Sequence, residues 1–312
     1  RIMLYLIYIG RFNKMYQKDV LREYIEKSEL RLFSNKIKVR LSKGLGLKYD
    51  QGHYQNYLKN IQKCFDMINT LNIQYPGNAK PILYVYIVLD ENYAKLLKIP
   101  NYYNTGNGGG KPVTCYDLDG FNAAYGISQN MAEDKVFETF NISKLENELH
   151  ELSHIIHSEF FSTNPTICEG FAETLPLYAL DLEEKFESHR NAITGLNEKQ
   201  IYSVQELLNS EKDGTFGKNS IFPNYSCSFN LSYISSYLFV RSCVEEFRKK
   251  YNLSKEKSIQ YFLEFIKQST YRDEWLIFDI ANALNFPQKE LLNGKQMQLK
   301  LLKSLNKKTK LL

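Results

Sequence analysis

Three of the chain's five histidines, His150, His154 and His157, lie close together, and residues 150–154 read His-Glu-Leu-Ser-His. On a helix, imidazoles four residues apart share a face and can both reach one ion at about 2 Å. The carboxylate after the first histidine is then placed to move protons beside that ion. This is the chemistry of a zinc centre that activates water for hydrolysis, with His150 and His154 as ligands and Glu151 as general base. Five His and at most 35 Glu in 312 residues give about 0.01 such matches by accident. His157 continues the stripe but lies about 10.5 Å along the axis from His150, too far to share one ion with both histidines. The metzincin pattern requires Gly at position 157 and His at position 160; His157 and Phe160 stand there, which excludes that class.

A catalytic zinc takes three protein ligands and keeps a fourth position open. Asn164-Pro165 reads as an N-cap followed by proline at the first helical position. The helix it starts carries Cys168-Glu169-Gly170-Phe171-Ala172-Glu173. His154 precedes Phe160 by about 9 Å of helix rise, and Glu169 follows Pro165 by about 6 Å. Two helices folded back on each other bring Glu169 within reach of His154, so Glu169 is the expected third ligand. Glu173, one turn further on, is the expected acceptor that orients a ligand histidine. Cys168 reads as a small buried side chain, because a thiolate added to this set would close the open position.

Elements must hold these residues in place. Ser143-Lys-Leu-Glu146 matches a capping box and puts a helix start ahead of the histidines. Leu145, Leu149, Leu152 and Ile156 form an apolar stripe roughly 130° around from the histidine stripe, so one face packs while another fronts a cleft. Upstream, residues 15–32 read as a charged helix, 36–41 as a half-buried strand and 54–71 as a helix. Residues 81–89 read as a buried β-branched and aromatic strand, and 111–116 as a strand leaving the turn-rich stretch 101–110. Downstream the helical period dominates through 165–186, 228–251 and 254–268, with 209–226 as a long loop. The basic residues 300–310 read as a solvated final helix. The expected class is therefore α+β. Residues 1–160 form a sheet-containing subdomain with the active-site helix, and 161–312 a helical subdomain carrying the glutamate ligand.

Composition removes other classes. An apolar fraction of 43% and a charged fraction of 24% are those of an ordinary globular chain, which excludes disorder and collagen-like arrays. The net charge of +5 is too small to argue for a nucleic-acid partner. The five cysteines include no CxxC pair, so neither a cysteine zinc site nor a disulfide framework is indicated. No apolar run reaches the roughly 18 residues of a transmembrane helix. Residues 2–9, behind Arg1, read either as a buried strand or as the tail of a secretory leader.

His150-Glu-Leu-Ser-His154 followed by Glu169-Gly-Phe-Ala-Glu173 resembles the gluzincin metallopeptidases, and more narrowly the catalytic domain of the bacterial collagenases, peptidase family M9. Asn107-Gly108-Gly109-Gly110 and Ser236-Tyr-Leu-Phe-Val-Arg241 share in the likeness, which spans about residues 85–270. It implies a zincin-like, two-lobed domain with a cleft between the lobes. It implies a zinc-dependent endopeptidase with one catalytic Zn2+, acting on extended protein or peptide substrates and secreted or held at the cell surface. Gly108, Gly109 and Gly110 would border an edge strand that pairs with substrate backbone. Tyr225, Tyr233 and Tyr237, with His189, are candidates to contact substrate or steady the oxyanion. Calcium near the zinc is also implied, with no ligands assigned. The alternative is a non-catalytic gluzincin acting as a binding or surface protein, or an exopeptidase of narrow specificity. Glu151 speaks for an enzyme, because a metal site alone does not need that carboxylate.

Overall fold

A computed structural model describes residues 26–73, 82–91, 111–117, 120–134, 139–157, 165–186, 189, 193, 195–217, 231–268 and 274–309. The chain divides into two compact units, Arg1–Cys64 with Tyr75–Phe140, and Phe65–Gln74 with Asn141–Leu312. The fold is mixed α and β, with the sheet in the first unit and helices in the second.

The first unit holds β1 (Ser28–Leu32), β2 (Ile37–Ser42), α1 (Gly46–Asp50), the start of α2 (Gln55–Asn69), β3 (Leu83–Val88), β4 (Lys111–Asp117), β5 (Gly120–Ser128) and α3 (Gln129–Asp134). The strands form one sheet in the order β1-β2-β3-β5-β4. Both inner pairings, β2 with β3 and β3 with β5, are parallel, and both outer strands are antiparallel to their neighbours. Every residue of β3 is buried, as a central strand covered on both faces requires. In β2, Ile37, Val39 and Leu41 are buried on alternate positions, which is the period-two pattern of the sequence. Two strands depart from expectation. Residues 28–32, expected as helix, form β1, because Phe33 and Ser34 both donate to the Ile37 carbonyl (3.1 and 3.0 Å) and turn the chain into a hairpin with β2. Strand β5 was not anticipated: its Gly and Ala residues have low strand propensity, and its place is set by pairing with β3 and β4.

The second unit begins with a 3₁₀ turn at Ile142–Lys144, followed by α4 (Glu146–His157), α5 (Pro165–Thr174) and a π-type turn (Leu175–Ala179). Then come a 3₁₀ turn (Glu198–Gln200), α6 (Val204–Lys212), α7 (Leu231–Lys250), α8 (Lys255–Gln268), α9 (Glu274–Leu284), α10 (Gln288–Asn293) and α11 (Gln296–Thr309). Helix α7 is buried from Ser232 to Val244 and forms the centre on which α5, α8 and α11 pack. Four serines on α7, at 232, 235, 236 and 242, keep its surface thin where neighbours approach.

The division into compact units falls ahead of α4, which packs on α5 and the π-type turn. The expected capping box is corrected. Asn141 Oδ1 accepts from Ser143 N (3.1 Å) and from Ser143 Oγ (2.8 Å), so Ser143 is held inside the 3₁₀ turn and α4 starts at Glu146. The helix expected over 165–186 is interrupted at Pro176, which lacks the N–H for an α-helical bond. There the chain widens, Leu180 N bonding to Leu175 O at 3.1 Å. Residues 209–212, expected in a loop, complete α6. The last helix is more than a solvated tail, because Leu301, Leu302 and Leu305 are buried. Among the described residues no helix is long and apolar enough to cross a membrane.

Candidate metal centre

Helix α4 buries Leu149, Leu152, Ile155 and Ile156, with Leu145 buried just ahead of it, so its apolar stripe fixes the rotation of the helix. That rotation carries His150 and His154 toward α5. All of α5 except Cys168 is buried, including Glu169 and Glu173. Cys168 is half-buried.

Three donor atoms converge. His150 Nε2 lies 3.1 Å from His154 Nε2 and 3.2 Å from Glu169 Oε2, and His154 Nε2 lies 3.3 Å from Glu169 Oε2. Among the described residues this trio is the group of ionisable side chains placed to hold a metal ion. Donors about 2 Å from a tetrahedral ion stand roughly 3.3 Å apart, so the observed edges match a metal of first-row transition size. Glu173 Oε1 lies 3.0 Å from His150 Nδ1, on the far side of the ring. A carboxylate there selects the tautomer with hydrogen on Nδ1 and leaves Nε2 as a donor lone pair.

Electrostatics follow from this crowding. Burial opposes the charge of Glu169, but His154 and His150 outweigh it and hold the carboxyl well below the usual carboxylate range. Burial likewise opposes charge on Glu173, which His150 holds down more strongly. Burial disfavours the His150 imidazolium, yet Glu173 and Glu169 raise its pKa well above the ordinary histidine value. Two anions facing two histidines form a pocket of negative potential that a divalent cation relieves when it displaces the proton.

Two tertiary devices set α5 in place. Gly170, beside Glu169, is where α5 meets α7: a Cβ at this position would stand 2.4 Å from the Ser236 carbonyl oxygen and 2.6 Å from Val240 Cγ2. Glycine is what the approach permits. At the start of α5, Thr166 N donates to Glu211 Oε1 (2.7 Å), and Thr166 Oγ1 donates to the same oxygen. A carboxylate from α6 thus caps the ligand helix and meets its positive end. Helix α6 has its own capping box, Ser203 with Glu206, which fixes the origin of Glu211.

Glu151 follows His150 on α4 and is half-buried. Tyr233, on α7, is buried with its ring centroid 6.2 Å from that of His150, and Phe216 stacks obliquely on it at 5.7 Å. Tyr237 is fully buried. It donates to Glu183 Oε1 (2.7 Å) and accepts from Arg241, so its hydroxyl is committed to an internal cluster rather than to substrate. His189 is also buried, with Nδ1 4.0 Å from Glu173 Oε2. Gly108, Gly109, Gly110 and Tyr225 lie outside the described residues, as does the side chain of His157.

Sequence reasoning missed Gly170's close approach, the Glu211 cap and the Glu183–Arg241 pair. The i, i+4 spacing of Tyr237, Arg241 and Glu245 is readable in the sequence, but it points to the Arg241–Glu245 pair and not to Glu183. No family model matches the chain, and no curated protein compared with it matches either.

Proposed function

We propose that the chain is a zinc-dependent endopeptidase of gluzincin type, similar to the catalytic domain of bacterial collagenases. The observation that carries this reading is the convergence of His150 Nε2, His154 Nε2 and Glu169 Oε2 at 3.1–3.3 Å, with Glu151 next in sequence to the first ligand. Two imidazoles, one carboxylate and an open fourth position form a donor set that suits catalytic zinc.

A zinc ion held there supplies Lewis acidity for amide hydrolysis. The chain's own residues do the rest. Glu151 accepts the proton of the attacking water and passes it to the leaving amine. Glu173 holds His150 in the donating tautomer. The substrate class is extended polypeptide, as the likeness of His150-Glu-Leu-Ser-His154 and Glu169-Gly-Phe-Ala-Glu173 to the collagenase catalytic domain implies.

The test is hydrolysis of an unstructured protein such as gelatin by wild type and by Glu151→Ala, with metal content measured on both. The expected variant keeps its zinc and loses activity by at least about a hundredfold, the size of a general-base contribution. Equal cleavage by the two proteins removes Glu151 as the base. A protein that binds zinc and cleaves nothing is instead the non-catalytic member of the class.

A further inference from the structure

Behind Glu173 runs a line of buried polar side chains that neither the metal donors nor Glu151 requires. Glu173 presents Oε1 to His150 Nδ1 at 3.0 Å and Oε2 to His189 Nδ1 at 4.0 Å. The second contact is in ion-pair range and longer than a hydrogen bond. His189 is 1% exposed, and its ring meets that of Tyr237 edge-on, with centroids 5.1 Å apart at 84°. Tyr237 is fixed in turn, because its hydroxyl donates to Glu183 (2.7 Å) and accepts from Arg241, which also pairs with Glu183. Arg241 Nε donates to Glu245 (3.2 Å), and the guanidinium lies over the Tyr178 ring at 4.9 Å.

We propose that His189 is a positioning residue: backed by Tyr237 and the Arg241–Glu183 pair, it holds the Glu173 carboxylate square to His150 and so sets the affinity of the centre for metal. This rests on the metal-centre reading above. A carboxylate gripped through one oxygen can swing about its own axis; one with an imidazole nitrogen facing each oxygen has a single orientation. His189 can act as that second ring because it is clamped between Glu173 and Tyr237. Tyr237 can act as a wall because its hydroxyl is held from two sides. The line draws on α5, on Glu183 and His189, and on α7, so it also ties the ligand helix to the centre of its unit. None of His189, Tyr237, Arg241 or Glu183 belongs to the metal donor set.

The experiment titrates Zn2+ against a chromophoric chelator for wild type, His189→Phe, His189→Asn and Tyr237→Phe, with a thermal melt of each metal-free protein and a Co2+ absorption spectrum. His189→Phe keeps a ring against Tyr237 and removes both nitrogens. It is expected to weaken zinc binding several-fold, less than the roughly 10–100-fold of a lost direct partner of a ligand histidine, because His189 acts through Glu173. His189→Asn, which restores a donor facing Glu173, is expected to recover part of that loss. Tyr237→Phe is expected to fall between wild type and His189→Phe, with shifted Co2+ visible bands. A purely structural role lowers the melting temperature and leaves the zinc affinity of the folded protein unchanged. Zinc binding by wild type together with equal binding by His189→Phe and Tyr237→Phe overturns the proposal and leaves the metal centre standing. Failure of folded wild type to bind zinc overturns both. Should His189→Phe not fold, Tyr237→Phe, which loses one oxygen atom and no ring volume, decides the matter alone.

Discussion

On the proposed reading, His150 is the residue at which protons and metal would compete. Its pKa in the metal-free fold is raised above the ordinary value of 6.5, with burial opposed and outweighed by Glu173 and Glu169. A raised value means the folded state binds the proton more tightly than the unfolded chain. The stability that His150 gives the metal-free protein is therefore complete below pH 6.5 and is lost as pH rises through the raised value. Metal needs the same nitrogen deprotonated, so zinc affinity runs the other way, falling as pH drops through that value. Glu169 and Glu173 have lowered pKa values and stay ionised across this window. Calorimetric titration with Zn2+ in two buffers of different ionisation enthalpy checks this at neutral pH. Release of about one proton per ion is expected, and no release would show that His150 is already neutral.

Between α5 and α7 the geometry is set by backbone contact. Gly170→Ala puts a Cβ 2.4 Å from the Ser236 carbonyl, and backbone cannot give way as a flexible side chain does. The expected cost is about 1–3 kcal/mol of stability, the range for overpacking, together with weaker metal binding because Glu169 moves with its helix. Denaturant unfolding and a zinc titration on the same variant measure the two effects, and wild-type values in both would mean that α5 tolerates displacement from α7.

The histidine helix could be read from the sequence, because i, i+4 spacing and an apolar stripe are properties of a single helix. Glu169 and Glu173 could be read too, because a short connection limits where the next helix can go. Gly170, Glu211 and the Glu183–Arg241 pair act through residues far away in the chain, and no local pattern encodes the partner. Strand β5 was missed for the same reason: its Gly and Ala residues become a strand by pairing between β3 and β4. The capping-box motif misled because Asn141, two residues upstream, competes for Ser143.

The sheet and the helices form separate compact units, and the donors His150, His154 and Glu169 all lie in the helical one. Metal should therefore stabilise the molecule unevenly. At free zinc about 100 times its dissociation constant, binding contributes about 2.7 kcal/mol to the state that holds the site. Hydrogen exchange with and without Zn2+ is expected to show added protection in α4 and α5 and little change in β1–β5. Equal protection throughout the sheet would mean that the two units open together.

The central claim is that His150, His154 and Glu169 hold one zinc ion. Its most direct test is metal content per chain, by elemental analysis of folded wild type and folded Glu169→Ala after dialysis against limiting zinc. About one zinc is expected in wild type and a small fraction of that in the variant. Folded wild type without zinc, or a variant that keeps the full complement, would contradict it.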